Sequence, residues 1–229
     1  CVLVFRSLDF SAAGCRREMT VQRAAQFRQG GPQGVVFLDA VAQPVQQLGL
    51  DGVVAQQDNY RKSGFVLAHR NVRYQGTVPA ITPPDGLTDL AAVPFDRLLG
   101  YDRPLFGAPR PAFLSAWIGM PGAVGLAAGG TAGDLGGYAV ARPCRVGWKV
   151  GPLFADDAET AEALFRGLCA RIPGGEPVIL DVPEPNRAAV ALAGRYGLAP
   201  VFETARMYAG RPLDLDLGRI FGITSFELG

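Results

Sequence analysis

The pattern of apolar and polar positions predicts alternating strands and helices in the second half of the chain. Residues 156–172 have an acidic first turn followed by apolar side chains three and four positions apart, the pattern of an amphipathic helix. The apolar segment at 177–182 predicts a buried strand, and residues 186–197 predict a second helix that ends at a glycine. Residues 201–208 alternate and predict a closing strand.

A similar order of elements occurs earlier in the chain. A strand containing Leu50-Asp51, a short helix ending at Gly64 and an alternating strand ending in Arg, Tyr and Gly match the later strand, helix and strand. Asp51 lies 13 residues before Gly64, and Asp181 lies 16 residues before Gly197. Two copies of such a unit predict two related domains, because a solenoid needs at least three repeats.

The distribution of prolines predicts where the two domains meet. Residues 77–111 are rich in proline and turn residues, which is typical of a linker that carries one or two short helices. The predicted organisation is therefore an N-terminal domain at 1–76, a linker at 77–111 and a C-terminal domain at 112–229. The predicted fold class is α+β, with mixed, mostly antiparallel sheets flanked by helices.

Composition narrows the classes of partner. The 229 residues are 48% hydrophobic with a formal net charge of +1, which predicts a packed globular protein and gives no reason to expect nucleic acid as a partner. No apolar run is long enough to span a bilayer, so a membrane partner is not expected. The four widely spaced cysteines predict reduced thiols and a cytoplasmic location. The single histidine, His69, lies in an alternating segment, so no metal site is expected.

Several segments resemble the GNAT family of N-acetyltransferases. The segment from Tyr60 to Phe65 is similar to the Y-x-x-x-G-F ending of that family, and residues 27–34 resemble its acetyl-CoA loop. The segments at 101–118, 137–157, 180–198 and 202–210 are similar, piece by piece, to the second domain of tandem, YitH-like GNAT proteins. The resemblance covers about residues 28–229.

This resemblance implies an enzyme that transfers an acetyl group from acetyl-CoA to a primary amine of a small molecule or peptide. It implies that Tyr60 is the acid that protonates the departing thiolate. A glycine-rich turn before a helix exposes backbone N–H groups to a pyrophosphate, and a Cβ would hold the phosphate away. The residues that would bind acetyl-CoA in this way are Arg28, Gly30, Gly31, Gln33 and Gly34.

Each of these residues also has a structural interpretation. Tyr60 could pack between a helix and the sheet, residues 28–34 could form an ordinary glycine turn, and Asp51 and Asp58 are candidate bases but could be ordinary carboxylates. In the second copy, Asp156 and Asp157 stand where phosphates would bind and would repel them, so that copy is not expected to bind the coenzyme.

The short stretch before residue 28 leaves a further alternative. Fewer strands than a GNAT domain normally has precede the predicted loop, which predicts an incomplete N-terminal domain. The alternative function is therefore a non-catalytic GNAT-like binding or interaction module, or a truncated inactive fragment. A sheet edge left open by missing strands favours pairing with a second copy in a homodimer.

Overall fold

The computed structural model describes residues 47–129 and 134–227, together with the backbone of residues 5 and 6. The helices in this part of the chain are short, and each packs on the sheet. They are α1 (Gln57–Lys62), α2 (Phe95–Phe106), α3 (Pro111–Ile118), α4 (Ala158–Cys169) and α5 (Arg187–Arg195). Short 3-10 turns lie at Val54–Gln56, Leu90–Ala92 and Leu217–Arg219.

The strands that the structure describes form one mixed sheet. They are β1 (Phe5–Arg6), β2 (Gln47–Val53), β3 (Val66–Thr77), β4 (Leu87–Asp89), β5 (Val124–Gly129), β6 (Leu135–Pro143), β7 (Trp148–Ala155), β8 (Pro177–Pro183), β9 (Ala199–Gly210) and β10 (Ile220–Gly222). Their order is β1-β2-β9-β3-β8-β7-β6-β5-β4, and β10 pairs with β7 off this path. Among these pairs β7 and β8 run parallel and the others run antiparallel. This confirms the predicted α+β class with a mixed, mostly antiparallel sheet flanked by helices.

The two copies seen in the sequence are both strand–helix–strand units, and they exchange their closing strands. The first repeat is β2–α1–β3 and the second repeat is β8–α5–β9. The closing strand of the second repeat, β9, pairs with β2 of the first repeat. The closing strand of the first repeat, β3, pairs with β8 of the second repeat, and β3 and β9 pair with each other at the centre. Each repeat is therefore completed by a strand of the other.

The local signals that predicted these elements are visible in the structure. Asp157 accepts a hydrogen bond from the Thr160 amide at 2.7 Å and caps α4, and Asn186 accepts one from the Ala189 amide at 3.0 Å and caps α5. Gly197 follows α5 and has φ +69°, a conformation that L side chains rarely adopt, so it stops the helix there. These residues fix where α4 and α5 begin and where α5 stops.

Two apolar clusters lie on opposite sides of β5, β6 and β7. One cluster packs under α4 and α5 and includes Phe165, Leu168 and Leu192. The other packs under α2 and α3 and includes Leu105 and Trp117. Both clusters are built mostly from large side chains with almost no exposed area, so burial of apolar surface fixes this part of the fold.

The predicted boundary between two domains lies within this continuous sheet. Strands from both sides of the predicted linker pair with each other, and residues 77–111 contain β4 and α2, which joins the cluster under α2 and α3. The division into 1–76, 77–111 and 112–229 stays a prediction. What the structure describes is a pair of repeats whose strands are interleaved rather than adjacent.

Candidate active site

A cluster of charged and polar side chains lies on one face of the central strands. Residues that are directly opposite each other in neighbouring strands share a face, so the register of β2, β9, β3, β8 and β7 brings these side chains together. We call this group the central polar cluster; its members are Asp51, Asn71, Arg73, Lys149, Asp181, Thr204 and Arg206. The opposite face of the same strands is apolar, with side chains such as Leu50, Leu180 and Met207.

The first half of the central polar cluster is centred on Asp51 of β2. Arg206 of β9 lies directly opposite, donates to Asp51 through Nε at 3.2 Å and forms a second contact through Nη2. Asn71 donates to the same carboxylate at 2.7 Å, and Thr204 lies at 3.5 Å. Burial raises the pKa of Asp51, and Arg206 acts in the opposite direction. Asp51 is thus a paired structural carboxylate, which leaves it poorly suited to act as a free base.

The second half of the cluster repeats this arrangement around Asp181 of β8. Arg73 of β3 lies directly opposite and forms a bidentate pair with Asp181 at 2.8 and 2.9 Å. Lys149 of β7 forms an ion pair with the same carboxylate. Burial lowers the pKa of Lys149 to about 8, and the Asp181 carboxylate opposes that shift. In both halves an aspartate of one repeat is therefore neutralised by an arginine of the other repeat's closing strand.

His69 lies beside the first half of the cluster, opposite Arg206 in the register of β3 and β9. Burial and, to a smaller extent, the nearby Arg206 guanidinium lower the pKa of His69 to about 4, and a hydrogen bond with Asn71 acts in the opposite direction. The imidazole is therefore neutral at physiological pH. A neutral imidazole can accept a hydrogen bond, but its low pKa makes it a weak base.

The lowered pKa of His69 predicts a loss of stability in mild acid. The unfolded chain binds a proton at an ordinary pKa of 6.5, whereas the folded protein binds it only near pH 4, so stability falls as the pH drops below 6.5. We expect the free energy of unfolding to be lower at pH 5 than at pH 7 by about 2 kcal/mol from this group. Urea denaturation of the protein and of a His69→Gln variant measures this contribution as the difference between their pH dependences. Because His69 is the chain's single histidine, equal pH dependences would contradict the assignment.

Tyr60 lies in α1, against the apolar face of β2. Its ring packs so closely on Gly52 that a Cβ there would be 2.6 Å from a ring carbon, and it meets Phe65 edge to face at 6.3 Å between centroids. Burial raises the pKa of Tyr60 above its ordinary value of 10, and the hydroxyl is protonated at neutral pH. Tyr60 and Asp51 therefore lie on opposite faces of the same strand. Asp58, the other candidate base, is exposed and pairs with Arg61 at 2.6 Å.

The second repeat differs from the first at the position that matches Tyr60. Four residues before the terminating glycine, the first repeat has Tyr60 and the second has Ala193. Ala193 is fully buried in the cluster under α5. At the start of α4, where the sequence predicted an acidic first turn, Asp157 is the helix cap.

Two large aromatic side chains of the second half of the chain lie in the core. Tyr138 is fully buried and donates to Asp102, which forms a buried bidentate pair with Arg110. Trp117 donates from Nε1 to the Gly151 carbonyl at 2.9 Å. Core packing is therefore the role of these two aromatic residues.

Sequence reasoning missed the partners of the two aspartates. Arg73, Arg206 and Lys149 were not candidates, although an isolated aspartate inside an apolar strand signals that a cationic partner must exist.

The predicted coenzyme-binding residues Arg28, Gly30, Gly31, Gln33 and Gly34 lie outside the described residues. In residues 47–129 and 134–227, helices are all too short or too polar to cross a membrane. In those same ranges we find no group of three or more metal-ligating side chains.

Comparison with known proteins places these features in a family. Residues 98–222, more than half of the chain, match the family model of the acetyltransferase (GNAT) domain. The chain is 30% identical over 183 residues to holothin acyltransferase from Pseudoalteromonas sp. (strain SANK 73390), covering 80% of this chain and 62% of that protein. It also resembles the crystal structure of a protein assigned as an acetyltransferase from Pyrococcus horikoshii, with a TM-score of 0.68 and 25% identity over 81% of this chain and 60% of that one. The chain thus spans less than two thirds of either relative, and it belongs to the GNAT acetyltransferase family.

Proposed function

We propose that this protein transfers an acetyl group from acetyl-CoA to a primary amine. The observation that carries the proposal is the family match over residues 98–222, because members of this family are described as acetyltransferases. In this reaction the amine nitrogen attacks the thioester carbonyl carbon and the C–S bond breaks. The departing thiolate takes up a proton, and the amine loses one. Holding thioester and amine together supplies much of the acceleration.

The residues of the first repeat fit this chemistry better than those of the second. Tyr60 is assigned as the acid that protonates the thiolate, because a tyrosine hydroxyl carries its proton at neutral pH. The predicted loop at residues 28–34 would bind the pyrophosphate with backbone N–H groups. In the second repeat, Ala193 stands in place of Tyr60, and Asp156 and Asp157 lie at the start of the preceding helix, where they would repel phosphates.

The proposed architecture is that of a tandem GNAT protein of the YitH-like kind. The exchanged strands of the two repeats support this, since each repeat needs the other to complete its part of the sheet. The C-terminal half would then act as a scaffold for the first repeat and as a wall of the acceptor site.

The acceptor is best sought among amines related to that of the similar acyltransferase. Because the Pseudoalteromonas relative is named for holothin, holothin is the first acceptor to test, followed by amino acids, other small amines and peptides. Release of free coenzyme A from acetyl-CoA in the presence of each amine measures turnover. An amine that accelerates release and appears as its acetyl derivative by mass spectrometry identifies the acceptor class.

Binding of acetyl-CoA distinguishes the enzyme from a non-catalytic module. We expect saturable binding by calorimetric titration, and we expect Gly34→Glu to weaken it at least about tenfold, because a carboxylate there would repel the pyrophosphate. Gly174→Glu is a matched control with the same change of charge, since no atom lies within 4 Å of a Cβ at Gly174. Absence of binding by a folded sample would contradict the enzyme and favour the non-catalytic module. Equal binding by all three proteins would contradict the loop.

A further inference from the structure

The parallel strands β7 and β8 separate after a short paired stretch. They pair at Trp148–Val150 and at Val178–Leu180, and each then continues without the other, β7 to Ala155 and β8 to Pro183. Each strand leads into a helix, α4 or α5, whose N-terminus lies at this end of the sheet. A crevice at the carboxyl ends of parallel strands, flanked by helix N-termini, is the usual position for a phosphate-bearing ligand in such sheets.

The chain's own segment Leu217–Phe226 fills this crevice. β10 pairs with β7 at Ile220–Phe154 and Gly222–Leu153, and the Ile223 amide donates to the Asp181 carbonyl of β8 at 2.9 Å. The segment thus bonds to both separated strands. Its apolar side chains join the clusters on the two faces of the sheet: Phe221 lies in one, and Ile220, Ile223 and Phe226 lie in the other.

Glycines on both sides of the contact allow the segment to lie close to the walls of the crevice. A Cβ on Gly151 of β7 would lie 2.5 Å from the carbonyl oxygens of Ile223 and Thr224. A Cβ on Gly222 of the segment would lie 2.7 Å from the Leu180 side chain of β8. Real Cβ atoms do not come so close to other atoms, so a glycine on each side of the contact lets the backbones approach.

Polar contacts at both helix N-termini fasten the segment. The Asn186 side chain, whose oxygen caps α5, donates from Nδ2 to the carbonyls of Leu217, Gly218 and Ile220 at 3.0, 3.1 and 3.0 Å. On the other side of the crevice, Arg219 forms an ion pair with Asp156, just before α4. The Asn186 amide, a donor that a bound anion would use, is therefore taken by the segment, and Arg219 of the segment pairs with the Asp156 carboxylate.

We propose that Leu217–Phe226 is a built-in occupant of the ligand crevice between β7 and β8, and that the chain consequently takes up acyl-CoA at a single place. The number of acyl-CoA sites rests on the function proposed above, whereas the occupancy of the crevice does not. Residues 220–226 of the segment are buried, and the segment is bonded to both arms of the crevice.

Hydrogen exchange of the full chain, followed by mass spectrometry, tests the occupancy directly. We expect peptides covering residues 217–226 to be protected in the free protein and to keep the same protection at saturating acetyl-CoA. Rapid exchange in the free protein, or deprotection on addition of acetyl-CoA, would overturn the proposal, because either result would mean that the segment leaves the crevice. The measurement on the free protein gives its result even if acetyl-CoA does not bind.

An Asn186→Asp variant isolates the fastening of the segment. Aspartate caps a helix as well as asparagine does, but it has no amide to donate to the three carbonyls. Loss of the two N–H donors that the three carbonyls share should accelerate exchange at residues 220–223 by roughly 10- to 100-fold while α5 stays protected. Arg187→Ala, a change of an exposed neighbour, is the control. Unchanged exchange in Asn186→Asp would overturn the fastening.

Calorimetry with acetyl-CoA completes the test. One mole bound per mole of chain is the expected result, and two moles would overturn the single-site proposal. No binding would overturn the proposed function alone, and hydrogen exchange of the free protein would then decide the occupancy.

Discussion

Replacing Asp181 with alanine is expected to lower the free energy of unfolding by about 3–5 kcal/mol, a large part of the stability of a typical domain. The Asp181 side chain is fully buried and is shared by Arg73 and Lys149, of which Lys149 is only 3% exposed. Without the carboxylate, two positive charges remain in or near the interior without a counter-ion. Urea denaturation at pH 7 measures the loss.

Two further variants make this prediction specific. Glu162→Ala removes the carboxylate of a partly exposed pair with Arg195, and we expect it to cost about 1 kcal/mol or less. Adding Lys149→Met to Asp181→Ala should recover part of the stability, because one of the two uncompensated charges is then gone. A loss below about 1 kcal/mol for Asp181→Ala would show that the pairing contributes little to joining the repeats.

The repeats could be predicted from the sequence, but the exchange of their strands could not. Both aspartates stand in short apolar strands and both closing strands carry an arginine, so ion pairing is compatible with the sequence, but the partners are not specified. Pairing Asp51 with Arg73 within one repeat would be as compatible with the sequence as the observed pairing of Asp51 with Arg206. Local alternation fixes which face a side chain takes, whereas the neighbouring strand is decided by contacts more than 100 residues apart.

The insertion of residues 217–226 into the crevice also could not be predicted from the local pattern of apolar and polar residues. Residues 217–226 contain a short apolar run that is compatible with a strand, and nothing in its spacing indicates insertion between β7 and β8. The starts of two helices were easier to predict, because the acidic first turn indicated α4 and the cap residue Asn186 indicated α5. The second function of Asn186, to hold three carbonyls of the segment, depends on the tertiary fold.

The motif around Tyr60 predicts the local structure but does not decide the role of the tyrosine. Its spacing to Gly64 predicted a helix that ends before a strand, and α1 and β3 confirm it. The tight contact with Gly52 is compatible both with a packing role and with an acid that is held in place by packing. Its chemistry therefore stays a prediction, and a change that keeps the ring and removes only the hydroxyl separates the two roles.

Tyr60→Phe is expected to lower kcat by about 10²–10⁴-fold, the usual contribution of a positioned acid, while leaving the free energy of unfolding nearly unchanged. The phenyl ring keeps the contacts with Gly52 and Phe65, but the thiolate then departs without a proton donor. Steady-state release of coenzyme A, measured with the best acceptor from the amine screen, gives kcat for each protein. Tyr196→Phe is the matched control, because its hydroxyl bonds to Glu162 in the second repeat. If Tyr60→Phe keeps kcat within about twofold of the parent protein, Tyr60 is a packing residue and another group protonates the thiolate.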